Sequence, residues 1–122
     1  MFEDFELRQQ IESIASKFKL FECVICAEAI KQFLIEKDVN GKHIKLFTGS
    51  IEEPFCNIFH EALMKNISVN GRHEAIAVDI NNEELIFDNL HHRGILRRDW
   101  LYNLYSPMND MGEDFQITEV DF

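Results

Sequence analysis

Apolar residues recur at helical spacing from the start of the chain. Leu7, Ile11, Ile14, Ala15 and Phe18 share one face, so the first eighteen residues read as an amphipathic helix. Lys19 to Glu22 breaks the pattern. A second helix follows from about Cys23 to Lys37, with Cys26, Ala27, Ile30, Phe33 and Leu34 as its inward stripe, and Asp38-Val-Asn-Gly41 ends it with turn chemistry. His43 to Thr48 reads as a strand with Ile44 and Leu46 on one face. Between residues 49 and 71, Pro54 is suited to opening a helix, and Phe55, Ile58, Phe59, Ala62 and Leu63 fit a short one.

Asn70-Gly71 is a turn signal. His73 to Ile80 then alternates, with Ala75, Ala77 and Asp79 opposite Ile76, Val78 and Ile80. Asn81-Asn82 is a second turn and Leu85 to Phe87 a second strand, which together make an antiparallel hairpin. Arg97 to Leu104 reads as a short helix. The acidic tail, residues 106–122, either pairs as an edge strand around Phe115 to Val120 or lies loose. Helices first and antiparallel strands after give an α+β expectation: N-terminal helices packed on a small antiparallel sheet, in one domain spanning 1–122.

Composition narrows the class. With 46% hydrophobic and 28% charged residues, the chain has enough apolar side chains to build a core without disulfides or metal. The net charge of -10 disfavours nucleic acid and anionic membrane surfaces as partners, because only Arg93, Arg97 and Arg98 come near to clustering. No stretch reaches the ~18 apolar residues of a transmembrane helix. The acidic start, Met-Phe-Glu-Asp-Phe-Glu, is unlike a signal peptide. Three cysteines, an odd count, argue against a pure disulfide framework. The expectation is synthesis in a reducing cytoplasm, with delivery elsewhere by an export system or a fused partner left open.

Cys23 stands where the second helix begins. The unpaired N–H groups and positive dipole end of a helix's first turn stabilise an anion, so a thiol there ionises more readily. The same N–H groups suit a developing oxyanion. His73, just after the Asn-Gly turn, is the candidate base for that thiol. In a hairpin turning at Asn81-Asn82, position 73 meets a position near 90, so Asp88 falls within reach of the same ring and would orient it.

The stretches FECVICAEAIKQFLIEKDVNGKHIKL, VNGRHEAIAVDINNEELIFDN and RGILRRDWL resemble the papain-fold toxin domains of bacteria and, more distantly, the papain-like and transglutaminase-like superfamily. The resemblance covers roughly residues 10 to 105. It rests on a Cys at a helix start with a small residue four positions on (Cys23 and Ala27), then a His on one strand and an Asp on the next (His73 and Asp88). It implies a Cys-His-Asp site on an α+β core. The implied chemistry is hydrolysis of a peptide or amide bond, deamidation or a related acyl transfer, by a toxin or effector domain. The partners it implies are a protein or peptide substrate and a cognate immunity protein, with no cofactor and no metal. One departure stands out. Papain-type enzymes place a Gln shortly before the Cys as an oxyanion donor. Here Glu22 precedes Cys23, the nearest upstream Gln residues are Gln9 and Gln10 in the first helix, and the side-chain donor is unassigned.

Competing readings remain at each position. Cys26 is a rival nucleophile, although it shares a face with Ile30 and Phe33, which argues for core. Cys-x-x-Cys also invites zinc, with Cys56, His60, His91 or His92 as further ligands, or a redox motif; neither has a second matching pair or a βαβ context. His91 and His92 read as exposed loop residues. Asp88 alone suits an Asx-turn, Asn89 suits shaping that loop or orienting the imidazole, and Trp100 suits a core anchor. Gly71 reads as the residue that permits the turn aiming His73. The acidic surface and the missing Gln also fit a non-catalytic interaction domain, either a degenerate family member or an immunity-type binding protein.

Overall fold

The computed structural model describes residues 3–122. Helix α1 spans Asp4–Ala15 and α2 spans Cys23–Glu36. The strands β1 (Lys42–Phe47), β2 (Ile58–His60), β3 (Lys65–Ser68), β4 (Arg72–Ile80), β5 (Glu83–Phe87) and β6 (Ile95–Leu96) follow. Helix α3 (Arg97–Tyr102), β7 (Leu104–Tyr105), α4 (Pro107–Asp110) and β8 (Gln116–Asp121) complete an α+β fold. The main sheet has the order β6-β5-β4-β1-β8, and a smaller one has the order β3-β2-β7. Among the described residues no helix is long and apolar enough to cross a membrane.

The helical stripes bury as their spacing dictates. Leu7, Ile11 and Ala15 of α1 meet Cys26, Ala27, Ile30 and Leu34 of α2, and both pack on Ile76, Val78, Ile80, Leu85 and Phe87 of the sheet. Each of the Leu, Ile, Val and Phe side chains among them contributes about 1.5–3 kcal/mol on leaving water. The expected extension of the first helix to Phe18 is shortened to Ala15. Lys17 and Phe18 instead close tighter three-residue turns onto Ile14 and Ala15, and Phe18 still packs on the core. Asp38, at φ 60, ends α2, and the N–H of Val39 returns to the carbonyl of Leu34 at 2.8 Å.

The hairpin β4–β5 forms where expected. Asn81 and Asn82 both have positive φ (54 and 64), as a two-residue turn between right-twisted strands requires, and Ile80 pairs with Glu83. Alternation along β4 then sends Ile76, Val78 and Ile80 to the helices, and Ala75 and Ala77 to the opposite face. There they pack with Ile44, Leu46, Ile86, Trp100 and the residues Ile58, Ile67 and Leu104 of the small sheet.

Residues 49–71 differ from expectation. The segment around Pro54 is a turn with a cis Glu53–Pro54 bond, and Ile58, Phe59 and Leu63 belong to no helix. Ile58 and His60 are buried while Phe59 is half-buried, a two-residue period. Short apolar runs fit both periods. Pairing of β2 with β7, far along the chain, decides between them. The last residues of the expected 97–104 helix supply that partner, Leu104. The tail is an edge strand: β8 runs antiparallel to β1 with Ile44 opposite Glu119.

Candidate active site

Cys23 is the first residue of α2. The turn before it is closed by the N–H of Glu22 on the carbonyl of Lys19 (3.1 Å) and the N–H of Lys19 on Glu22 Oε1 (2.6 Å). Phe21 lies inside this turn at φ 68, a conformation that favours Gly or Asn. Glu22 makes no side-chain cap, so no side chain caps the first-turn N–H groups of α2. Cys23 is 7% exposed and lines a cleft of about 200 Å³ walled also by Phe21, Val24, Ile67, Val69, Asn70 and Arg72.

His73 is fully buried near the start of β4, on the face that also carries Ala75. The pairing of Ile76 with Phe87, continued one residue outward, sets Asp88 beside Ala75, one same-face step from His73. His73 Nε2–H donates to Asp88 Oδ2 at 2.8 Å, the proton assigned there because the carboxylate only accepts. Trp100 Nε1–H donates to the same oxygen at 3.0 Å. Oδ1 accepts the N–H of Leu90 (2.9 Å), the N–H of His91 (2.7 Å) and His91 Nδ1–H (2.9 Å). Burial alone would raise the Asp88 carboxyl, but the hydrogen bonds of His73 and His91 hold it well below the usual carboxylate range.

Burial likewise pushes the His73 ring down, yet Asp88 and then the Cys23 thiol outweigh it and raise the ring to about 9. Since Nε2 is engaged by Asp88, the nitrogen left for the thiol is Nδ1, which is buried and makes no hydrogen bond. A thiol beside a ring this basic can pass it a proton.

A family model described as papain fold toxin 2 matches residues 6–105. The chain belongs to that family. No curated protein and no solved structure matches it.

In this papain fold toxin 2 chain, Cys26 is fully buried within the helical core, and burial, followed by the charges of Asp88, Cys23 and Glu22, pushes its thiol up to about 12. It is therefore a poor nucleophile. Among the described residues no three His, Cys, Asp or Glu side chains gather as a metal site would need. Gln9 and Gln10 are exposed on α1 and do not line the cleft. Asn89, one candidate for orienting the imidazole, does something else. Its Nδ2 donates to the carbonyl of Lys19 at 2.8 Å, tying the end of the hairpin to the turn that presents Cys23.

One expectation is overturned and another is extended. His91 is not an exposed loop residue, because its side chain is 13% exposed and bonded to Asp88. Trp100 is an anchor, as expected, but its indole N–H also serves the carboxylate. His60 was legible only as a remote zinc candidate. Its place beside His91 depends on the small sheet, which no local signal announces.

Proposed function

We propose that the chain is a papain-like thiol hydrolase or deamidase, acting on a protein or peptide amide as a toxin or effector domain. The observation that carries this reading is a buried imidazole with one nitrogen locked on an ionised carboxylate and the other free, beside a cysteine at an uncapped helix start. Cys23 gives its proton to His73 Nδ1, and the thiolate attacks the amide carbonyl. The N–H groups of the first turn of α2 receive the oxyanion. His73 Nδ1–H protonates the departing amine, or ammonia in a deamidation, leaving an acyl-enzyme. An incoming water or amine loses its proton to Nδ1, and the thiolate leaves. Asp88 keeps the Nε2 proton throughout.

Asn70 contributes the side-chain amide among the cleft residues. Its oxygen accepts the N–H of Arg72 (3.0 Å) and the hydroxyl of Ser68 (2.9 Å), which leaves its NH₂ as the candidate side-chain oxyanion donor. The apolar walls Phe21, Val24 and Val69 favour an apolar residue beside the attacked carbonyl. A chain of this kind is made in a cytoplasm, delivered to a target cell by an export system, and restrained at its source by an immunity protein.

The test is alkylation by iodoacetamide. Cys23 should label at least about tenfold faster in the native protein than in His73→Ala at neutral pH, and Cys26→Ala should leave its rate unchanged. Equal rates in wild type and His73→Ala would overturn the reading. Expression in bacterial and eukaryotic cytoplasm supplies a second measure: growth arrest by wild type, relieved by Cys23→Ala, separates an enzyme from a binding module.

A further inference from the structure

Beyond His73 the polar network does not stop at Asp88. His91 Nε2 lies 3.1 Å from His60 Nε2, and His60 Nδ1 is 3.2 Å from the backbone N–H of Leu63. The roles of all four ring nitrogens follow from the two ends. A backbone N–H is always a donor, so His60 Nδ1 carries no proton and its proton sits on Nε2. That Nε2–H donates to His91 Nε2, which must then be bare. The His91 proton therefore sits on Nδ1, where Asp88 Oδ1 accepts it at 2.9 Å. The direction is the same at every step, and it ends on the carboxylate.

Two imidazole nitrogens this close would also suit a shared metal ion. A metal on His60 Nε2, however, requires the ring proton on Nδ1, and the N–H of Leu63 already occupies that nitrogen. His60 is 2% exposed, and burial, then the charge of His91, lowers its basicity despite the opposing pull of Asp88. These, together with His73, are the titratable groups that act on it. The neutral ring the chain requires is thus the form its surroundings favour.

We propose that His60 and His91 are positioning residues, a one-way chain of hydrogen bonds from the Leu63 N–H through both rings that fixes the orientation and charge of the carboxylate holding His73. The proposal rests on the reading of Cys23 as nucleophile for its consequence, and on geometry alone for its existence. Its logic makes the chain proton-sensitive. A proton placed on His91 Nε2 would face the His60 N–H at 3.1 Å and break the link, and a cationic His91 would compete with His73 for Asp88.

Two measurements test it on the full chain. Long-range proton–nitrogen spectra of the histidine rings at about pH 8 should find His60 protonated on Nε2 and His91 on Nδ1. The second is the rate of Cys23 alkylation at about pH 6 and about pH 8. His60→Leu, which leaves His91 Nε2 open to a solvent proton, should slow labelling several-fold at the lower pH and much less at the higher. His60→Gln, whose amide can donate to His91 Nε2, should restore the wild-type ratio. So should His91→Asn, which still offers Asp88 an N–H but takes up no proton; it serves as the test should His60→Leu fail to fold. A His91 proton on Nε2, or a ratio of rates in His60→Leu equal to wild type, or a loss in His91→Asn as large at pH 6 as that of His91→Ala, would overturn the proposal. If wild-type Cys23 shows only ordinary thiol reactivity, the thiol-enzyme reading falls, while the spectra still decide whether the chain exists.

Discussion

Asp88 is the residue on which the site converges. Its two oxygens accept five donors, from two imidazoles, one indole and two backbone amides. A buried carboxylate survives ionised only when so provided. Trp100 supplies the indole, and its ring also fills the core on the His73 side of the sheet. Trp100→Phe keeps most of that volume and deletes the N–H. It should cost about 1.5–3 kcal/mol, the range for a hydrogen bond to a charged group, measured as a shift of the urea midpoint. A cost near zero would mean that the indole hydrogen bond does little for the carboxylate. The places of Cys23 at a helix start, His73 near a strand start and Asp88 just past a strand end were readable from sequence, because periodicity and turn chemistry mark those ends. The indole bond of Trp100 was not, because nothing local to residue 100 points twelve positions back.

At the scale of elements, the turn before β4 sets where His73 starts. Gly71 has φ 82, and a Cβ there would lie 2.2 Å from the carbonyl oxygen of Ser50 and 3.1 Å from Thr48 Oγ1. The first of these is backbone and cannot swing aside. Gly112 has nearly the same φ, 86, with nothing within 4 Å. The pair separates two effects. Gly112→Ala should cost about 1–2 kcal/mol for the left-handed backbone alone. Gly71→Ala should cost clearly more and slow Cys23 labelling as well, because the clash displaces the strand that carries His73. Equal losses in the two unfolding curves would mean that the close approach of residues 48–50 is unimportant. The hairpin and the second helix were legible here because period and turn chemistry agreed. For the tail the pattern left an edge strand and a loose end equally open, and pairing with β1 decided it. Strands β2 and β3 were not legible, since three or four residues carry too little period to tell a strand from a helix.

Across the whole molecule, α1 and α2 cover one face of the main sheet and the small sheet covers the other. The carboxylate and imidazole sit on the small-sheet side, while the thiol comes from the helical side. Stability should therefore track their protonation. His73 is raised from 6.5 to about 9 on folding, so its contribution is fully present below about pH 6.5 and is lost as pH rises through about 9. Asp88 is depressed, so its contribution is present above about pH 3.9 and is lost as pH falls through its lowered value. Denaturant unfolding should show stability declining from neutrality to about pH 9, and declining less in Cys23→Ala, since the thiol is one cause of the raised ring. A flat profile over that range would count against a proton held on His73. Arg97, one of the three arginines that come near to clustering, also acquires a role at this scale. Arg97 pairs with Glu84 of β5 at 2.7 Å and with Glu119 of β8, pinning both sides of the sheet to α3.

The sequence by itself determined the helical stripes, the β4–β5 turn and the α+β class, because these follow from side-chain period and from which residues tolerate positive φ. It also determined which residue types stand at the helix start and at the hairpin's open end. Only the tertiary structure decided that β2 pairs with β7 and that His60 and His91 meet behind Asp88. Those outcomes depend on pairing and burial between segments far apart in the chain, and a local pattern of apolar and polar positions carries no record of them.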